Sequence, residues 1–181
     1  MKGVVFTEFL DFVESSYGIE MVDHLLSNGD LPSGGSYTAV GTYDASELVA
    51  LVVGMSEKTG QPVPELIKKY GNHLFRFFVR TQKATLGKVQ STEQLLASVD
   101  NRIHVEVRKL YPDAELPTIG FEELSEYESK VIYQSQRPFA DLAEGLIEEA
   151  IKHFGDPITM RRTDMGDCDG THAEFNLKRS A

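Results

Sequence analysis

Tyr127–Arg137 reads YESKVIYQSQR, and the change of rhythm it introduces decides the fold. The part from Tyr127 to Ser135 is rich in β-formers and favours a strand, as do Ile158–Thr163 and Ala173–Leu177. Between these runs, Phe139–Phe154 keeps a helical spacing through Leu142, Leu146, Ile147 and Ile151. Within the opening stretch, side chains 133, 135 and 137 project to one face if the strand continues. That face presents two hydroxyls and a guanidinium, a row suited to a carboxylate or phosphate, although from this pattern alone an exposed polar sheet face accounts for it better.

Upstream of this stretch the chain reads as helices. Val5, Phe9, Phe12 and Val13 recur at helical spacing, and Ile19–Leu26 reads as a short second helix. Asn28–Ser36, with Gly29, Pro32, Gly34 and Gly35, is a loop. Asp44 or Ser46 caps a helix that Gly60 ends, and Pro64 opens two helical stretches that meet near Gly71. From Thr92 one longer helix carries Leu95, Leu96, Val99, Ile103, Val107 and Leu110 on its apolar side until Pro112 stops it. The class is therefore α+β: an N-terminal helical part followed by a small antiparallel sheet with packed helices.

The chain has 181 residues, enough for one core, and a net charge of -10, which repels nucleic-acid phosphates and anionic membranes. Glu8, Asp11 and Glu14 interrupt the first apolar stretch, so it does not read as a secretory signal. With no membrane-length apolar run, the expectation is a soluble cytoplasmic protein. The single cysteine, Cys168, cannot form an internal disulfide. Zinc, calcium and nucleotide-phosphate motifs and a GxSxG nucleophile elbow are all missing.

Five histidines remain: His24, His73, His104, His153 and His172. Most histidines are surface or satisfied core residues. His104 differs in lying beside the apolar stripe, one residue after Ile103 and three before Val107, where its imidazole meets the edge of a buried face. A buried neutral imidazole must hydrogen-bond or ligate something, since leaving it unpaired costs about 1–3 kcal/mol. Periodicity alone does not name the partner.

His104 on a helix, then Leu116-Pro117, then Tyr133-x-Ser135-x-Arg137, in that order, resembles the haem-nitric oxide/oxygen binding (H-NOX) family. Met1-Lys2-Gly3, Gly71 and Val105–Pro112 fit the same resemblance, which covers essentially the whole chain. It implies residues 1–181 as one gas-sensor domain, about 1–65 a helical distal part and about 66–181 a proximal part of helix and sheet. One haem b (iron protoporphyrin IX) would be buried between them. His104 would ligate the iron; Tyr133, Ser135 and Arg137 would hold the propionates; Pro117 would press the porphyrin out of plane. Phe9, Leu74, Phe78, Leu142 and Leu146 would line the pocket.

Oxygen-binding members of that family are expected to hold the gas with a distal tyrosine. Phe9, Leu74 and Leu142 offer no hydroxyl or amide, so the resemblance implies binding of nitric oxide and carbon monoxide with oxygen excluded. His73, adjacent to Leu74, is expected to face elsewhere, because neighbours on a helix point about 100° apart. The resemblance further implies a non-enzymatic sensor acting on a separate histidine kinase or cyclic-di-GMP enzyme. Nitric oxide would weaken the iron–His104 bond and shift the helical part against the sheet. A cysteine/histidine zinc cluster found in many bacterial relatives is reduced here to Cys168 and His172, too few for a four-ligand site; Cys168 could still be oxidised. Three other readings are an oxygen-binding member of the same family, a haem-free interaction module, and an enzyme with His104 as base beside Asp100 or Glu106.

Overall fold

In the computed structural model, which describes residues 1–166 and 169–180, helix α1 (Gly3–Tyr17) turns Phe6, Phe9, Phe12 and Val13 to one buried face. Asp167, Cys168 and Ala181 lie outside the described residues, and with them the reading made of Cys168. Gly18 separates α1 from α2 (Ile19–Asn28), at a φ of 86° that favours glycine. Helix α3 (Ala45–Thr59) begins where the Asp44 carboxylate accepts the Ser46 N–H at 2.8 Å and ends at left-handed Gly60, both as the sequence predicts.

Helix α4 (Val63–Thr81) is continuous through Gly71, where the sequence predicts a meeting of two stretches. Gly71 serves close packing instead. A Cβ there would lie 2.5 Å from the Leu142 carbonyl oxygen and 3.1 Å from Gly145 Cα on a neighbouring helix. A second departure follows α5 (Lys83–Leu86). The single helix expected from Thr92 is α6 (Thr92–Ser98), a π turn (Val99–Ile103) and α7 (His104–Leu110). The π turn re-aims the following residues, so the apolar stripe does not run on into the core. Leu95 and Leu96 are buried, whereas Leu110 is 73% exposed.

Four antiparallel strands form one sheet in the order β1-β2-β4-β3: β1 (Thr118–Glu123), β2 (Glu128–Gln134), β3 (Ile158–Asp164) and β4 (His172–Arg179). Three match the strand predictions. The edge strand β1 was not anticipated; Gly120, Glu122 and Glu123 dilute its pattern, and pairing with β2 holds it. Helix α8 (Ala140–Phe154) joins β2 to β3 and buries Ala143 and Ile147 in a core shared with Val131, Tyr133, Phe175 and Leu177 of the sheet. The opposite side of α8 lies against α4. Lys68 Nζ reaches Glu144 at 3.1 Å and Glu148 at 3.3 Å, and the Asn72 amide donates to the Gly145 carbonyl at 2.7 Å. The core continues through α4 into α1 and α3, which gives the α+β arrangement expected. Among the described residues no helix is long and apolar enough to cross a membrane.

Candidate functional site

His104 is the first residue of α7, directly after the π turn, and its side chain is 12% exposed. One helical turn earlier, Asp100 places a carboxylate oxygen 2.8 Å from Nδ1. A carboxylate only accepts, so Nδ1 carries the ring proton and Nε2 keeps its lone pair. Burial holds the imidazole below its ordinary pKa, against the opposing pull of Asp100, and so favours the neutral form. Among the described residues Nε2 has no hydrogen-bonding partner. The surroundings are unusual for such a ring: no residue of the π turn or of α7 is buried, and Ile103 and Val107 stay half-exposed. An oriented imidazole with a free lone pair, on a helix whose apolar side chains Ile103 and Val107 stay half-exposed, suits a d-block metal.

Tyr133, Ser135 and Arg137 do come together, but not by strand alternation. Strand β2 ends at Gln134, and residues 135–139 form a turn ahead of α8. The Ser135 hydroxyl accepts the Arg137 N–H at 3.0 Å, while the buried Tyr133 hydroxyl donates to the Arg137 carbonyl at 3.3 Å. Pro138 helps force the turn, since the residue before a proline is restricted and the proline itself lacks an N–H. The Arg137 guanidinium meets a carboxylate, that of Glu115, and one of its N–H groups also donates to the Glu115 carbonyl at 3.4 Å. Its side chain is 20% exposed and that of Glu115 72%, so the cation is seated while its partner stands in solvent. The Met1 amine, which donates to the Tyr43 carbonyl at 2.7 Å, is held below its usual pKa by burial and by Arg137. Carboxylates therefore find a seat here by chemistry already in use. Pro117 is half-buried immediately before β1.

Phe9 and Leu74 are buried, and Phe78, Leu142 and Leu146 are half-buried against the same core. Tyr70, absent from the sequence-based site, stands edge-on to Phe9 with ring centres 5.2 Å apart. Its hydroxyl is committed, donating to the Val5 carbonyl at 2.5 Å. His73 does not join this apolar group; its Nε2 lies 3.6 Å from Glu8 and 3.5 Å from Asp11. The Asp100–His104 spacing of four residues could have been read from the sequence. Neither the Glu115–Arg137 pairing nor the use of the Tyr70 hydroxyl leaves a local signal.

Residues 2–162 match the family model described as Haem-NO-binding. The unliganded Fe(II) H-NOX protein from K. algicida is 37% identical, with a TM-score of 0.92 over 100% of this chain and 97% of that one. The IWP-051-bound H-NOX from Shewanella woodyi in the Fe(II)CO state is 39% identical, with a TM-score of 0.84 over 99% and 95%. The S. oneidensis H-NOX protein in the Fe(II)NO state is 25% identical, with a TM-score of 0.91 over 100% of each chain. No curated protein is a match. The fold is that of a haem-binding gas-sensor domain. The chain belongs to the haem-NO-binding, or H-NOX, family.

Proposed function

We propose that this chain binds one haem b through Nε2 of His104 and senses nitric oxide in preference to oxygen, reporting to a separate histidine kinase or cyclic-di-GMP enzyme. The observation that carries the reading is the His104 ring itself, with Nδ1 held by Asp100 at 2.8 Å and Nε2 without a partner among the described residues. Arg137, Ser135 and Tyr133 would receive the propionates, Arg137 exchanging the exposed Glu115 carboxylate for one of them. Pro117 would bear on the macrocycle. When bound, a haem would supply the iron that takes the gas, with His104 as the protein group that holds it. The residues of the chain do the rest. Asp100 orients the His104 ring and raises its basicity. Phe9, Leu74, Phe78, Leu142 and Leu146 exclude water, and none of them donates a hydrogen bond. Because the Tyr70 hydroxyl is already spent on Val5, bound oxygen would lack the donor it needs, whereas nitric oxide does not depend on one.

Release of His104 would free α7 to shift relative to the helical distal part, about residues 1–65. The link between them is visible. Lys2 pairs with Asp113 at 2.9 Å, the Thr42 hydroxyl donates to the same carboxylate at 2.9 Å, and the Lys2 ammonium sits 4.8 Å from the Tyr111 ring centre. Gas binding can move that equilibrium only through a difference in affinity between the two arrangements, so partner and gas must be reciprocally coupled.

The test is a spectrum of the purified chain. An intense Soret band that shifts with nitric oxide and with carbon monoxide, and no stable ferrous-oxy form in air, is expected. A persistent oxy spectrum would contradict the selectivity, and a colourless protein that cannot be reconstituted would contradict haem binding. Arg137→Ala should speed haem transfer to an acceptor globin; an unchanged rate would remove Arg137 from the propionate seat.

A further inference from the structure

Outside the haem-site residues, α1 and α4 bring three metal-ligating side chains to one point. Glu8 and Asp11, three residues apart, share a face of α1, and His73 comes from α4. His73 Nε2 lies 3.6 Å from Glu8 Oε2 and 3.5 Å from Asp11 Oδ2, and the three donor atoms fall within 4.8 Å of one another. Those separations exceed good hydrogen-bond lengths. They are close to the spacing of about 3.4 Å between ligands that bind zinc tetrahedrally at about 2.1 Å. We propose that Glu8, Asp11 and His73 form a site for a divalent transition cation, zinc in the first instance, with its remaining position open to water.

Two further observations favour a cation over a plain ion-pair cluster. Among the described residues His73 Nε2 is buried and has no hydrogen-bonding partner, a costly state for an imidazole that ligation would relieve. Its ring is also fixed, packed 5.7 Å from the Phe12 ring centre with the side chain 12% exposed. The alternative is a protonated His73 neutralising the two acids. A protonated ring would be expected to draw the carboxylates into hydrogen-bond range, whereas both stand beyond it at 3.5 and 3.6 Å. Glu8 and Asp11 also bring two like charges together, and a dication would remove that repulsion. Entry is from solvent past Asp11, whose side chain is 61% exposed. Because Phe9 and Leu74 adjoin these ligands in sequence, the ion would clamp α1 to α4 beside the apolar lining.

Isothermal titration of the full chain with zinc(II), after treatment with a chelator and in a Cys168→Ser background, tests the site. One equivalent should bind with micromolar affinity or better and raise the thermal midpoint. Asp11→Asn changes an exposed side chain, so the fold should be kept while zinc affinity falls by more than about tenfold. His73→Ala and Glu8→Gln should abolish the midpoint shift. Failure of the parent chain to bind zinc, or undiminished affinity in Asp11→Asn and His73→Ala together, overturns the proposal.

Discussion

Asp100 sits one turn before His104 and decides which ring nitrogen is free. An acceptor on Nδ1 fixes the tautomer, aims Nε2 and makes it a better donor to a metal. Asp100→Ala should therefore keep the fold and still take up haem, but with haem affinity lowered by roughly tenfold to a hundredfold. Haem transfer to an acceptor globin measures this, and an unaltered transfer rate would show that Asp100 does not orient the ligand. At this scale much of the candidate site was legible. The position of His104 beside an apolar stripe and the Tyr-x-Ser-x-Arg spacing both stood in the sequence. What could not be read was geometry set by tertiary contacts. Glu115 reaches Arg137 across 22 residues, and the Tyr70 hydroxyl reaches the Val5 carbonyl across 65.

Helices α4 and α8 meet at two glycines, and this contact spaces the apolar residues Leu74 and Phe78 from Leu142 and Leu146. A Cβ on Gly145 would lie 2.1 Å from the Lys68 carbonyl oxygen, a backbone atom that cannot move alone. Gly145→Ala should therefore push the helices apart and cost about 1–3 kcal/mol of stability by overpacking. Urea unfolding would show the loss, and a midpoint equal to the parent's would mean that the contact yields. Secondary structure was legible wherever a period ran long, as in α1, α3 and α8. It failed where a glycine served packing rather than breaking, at Gly71. It failed again where hydrogen bonding slipped by one residue, at Val99–Ile103, because the residues of a π turn look helical one by one. Ser135 and Arg137 were read as strand and belong to a turn, since Ser135 caps the backbone ahead of Pro138.

Over the whole molecule, the chain's late elements are fastened to its middle by a few charged groups. The Asp156 carboxylate accepts the Thr92 N–H at 2.8 Å at the start of α6 and receives Arg179 of β4 at 3.0 Å. Burial pushes its pKa upward, but the Thr92 N–H and Arg179 outweigh it and hold the carboxyl below its usual value of 3.8. A depressed folded-state pKa gives stability that is present above the ordinary value and lost as pH falls through the lower one. Asp156→Asn should accordingly lower the thermal midpoint at neutral pH, with the difference from the parent shrinking below pH 3.8. A difference constant from neutral to strongly acid pH would contradict this pairing. The net charge of -10 and the α+β class were both readable from the sequence, whereas this clasp, closed over 64 residues to Thr92, was not.

The proposed function requires one bond, from Nε2 of His104 to a haem iron. His104→Ala removes the donor and leaves Tyr133, Ser135, Arg137 and the apolar lining intact. The variant should purify without a Soret band and regain haem and its absorption when free imidazole is supplied. Full haem retention by His104→Ala without imidazole, with the parent's spectrum, would contradict the account.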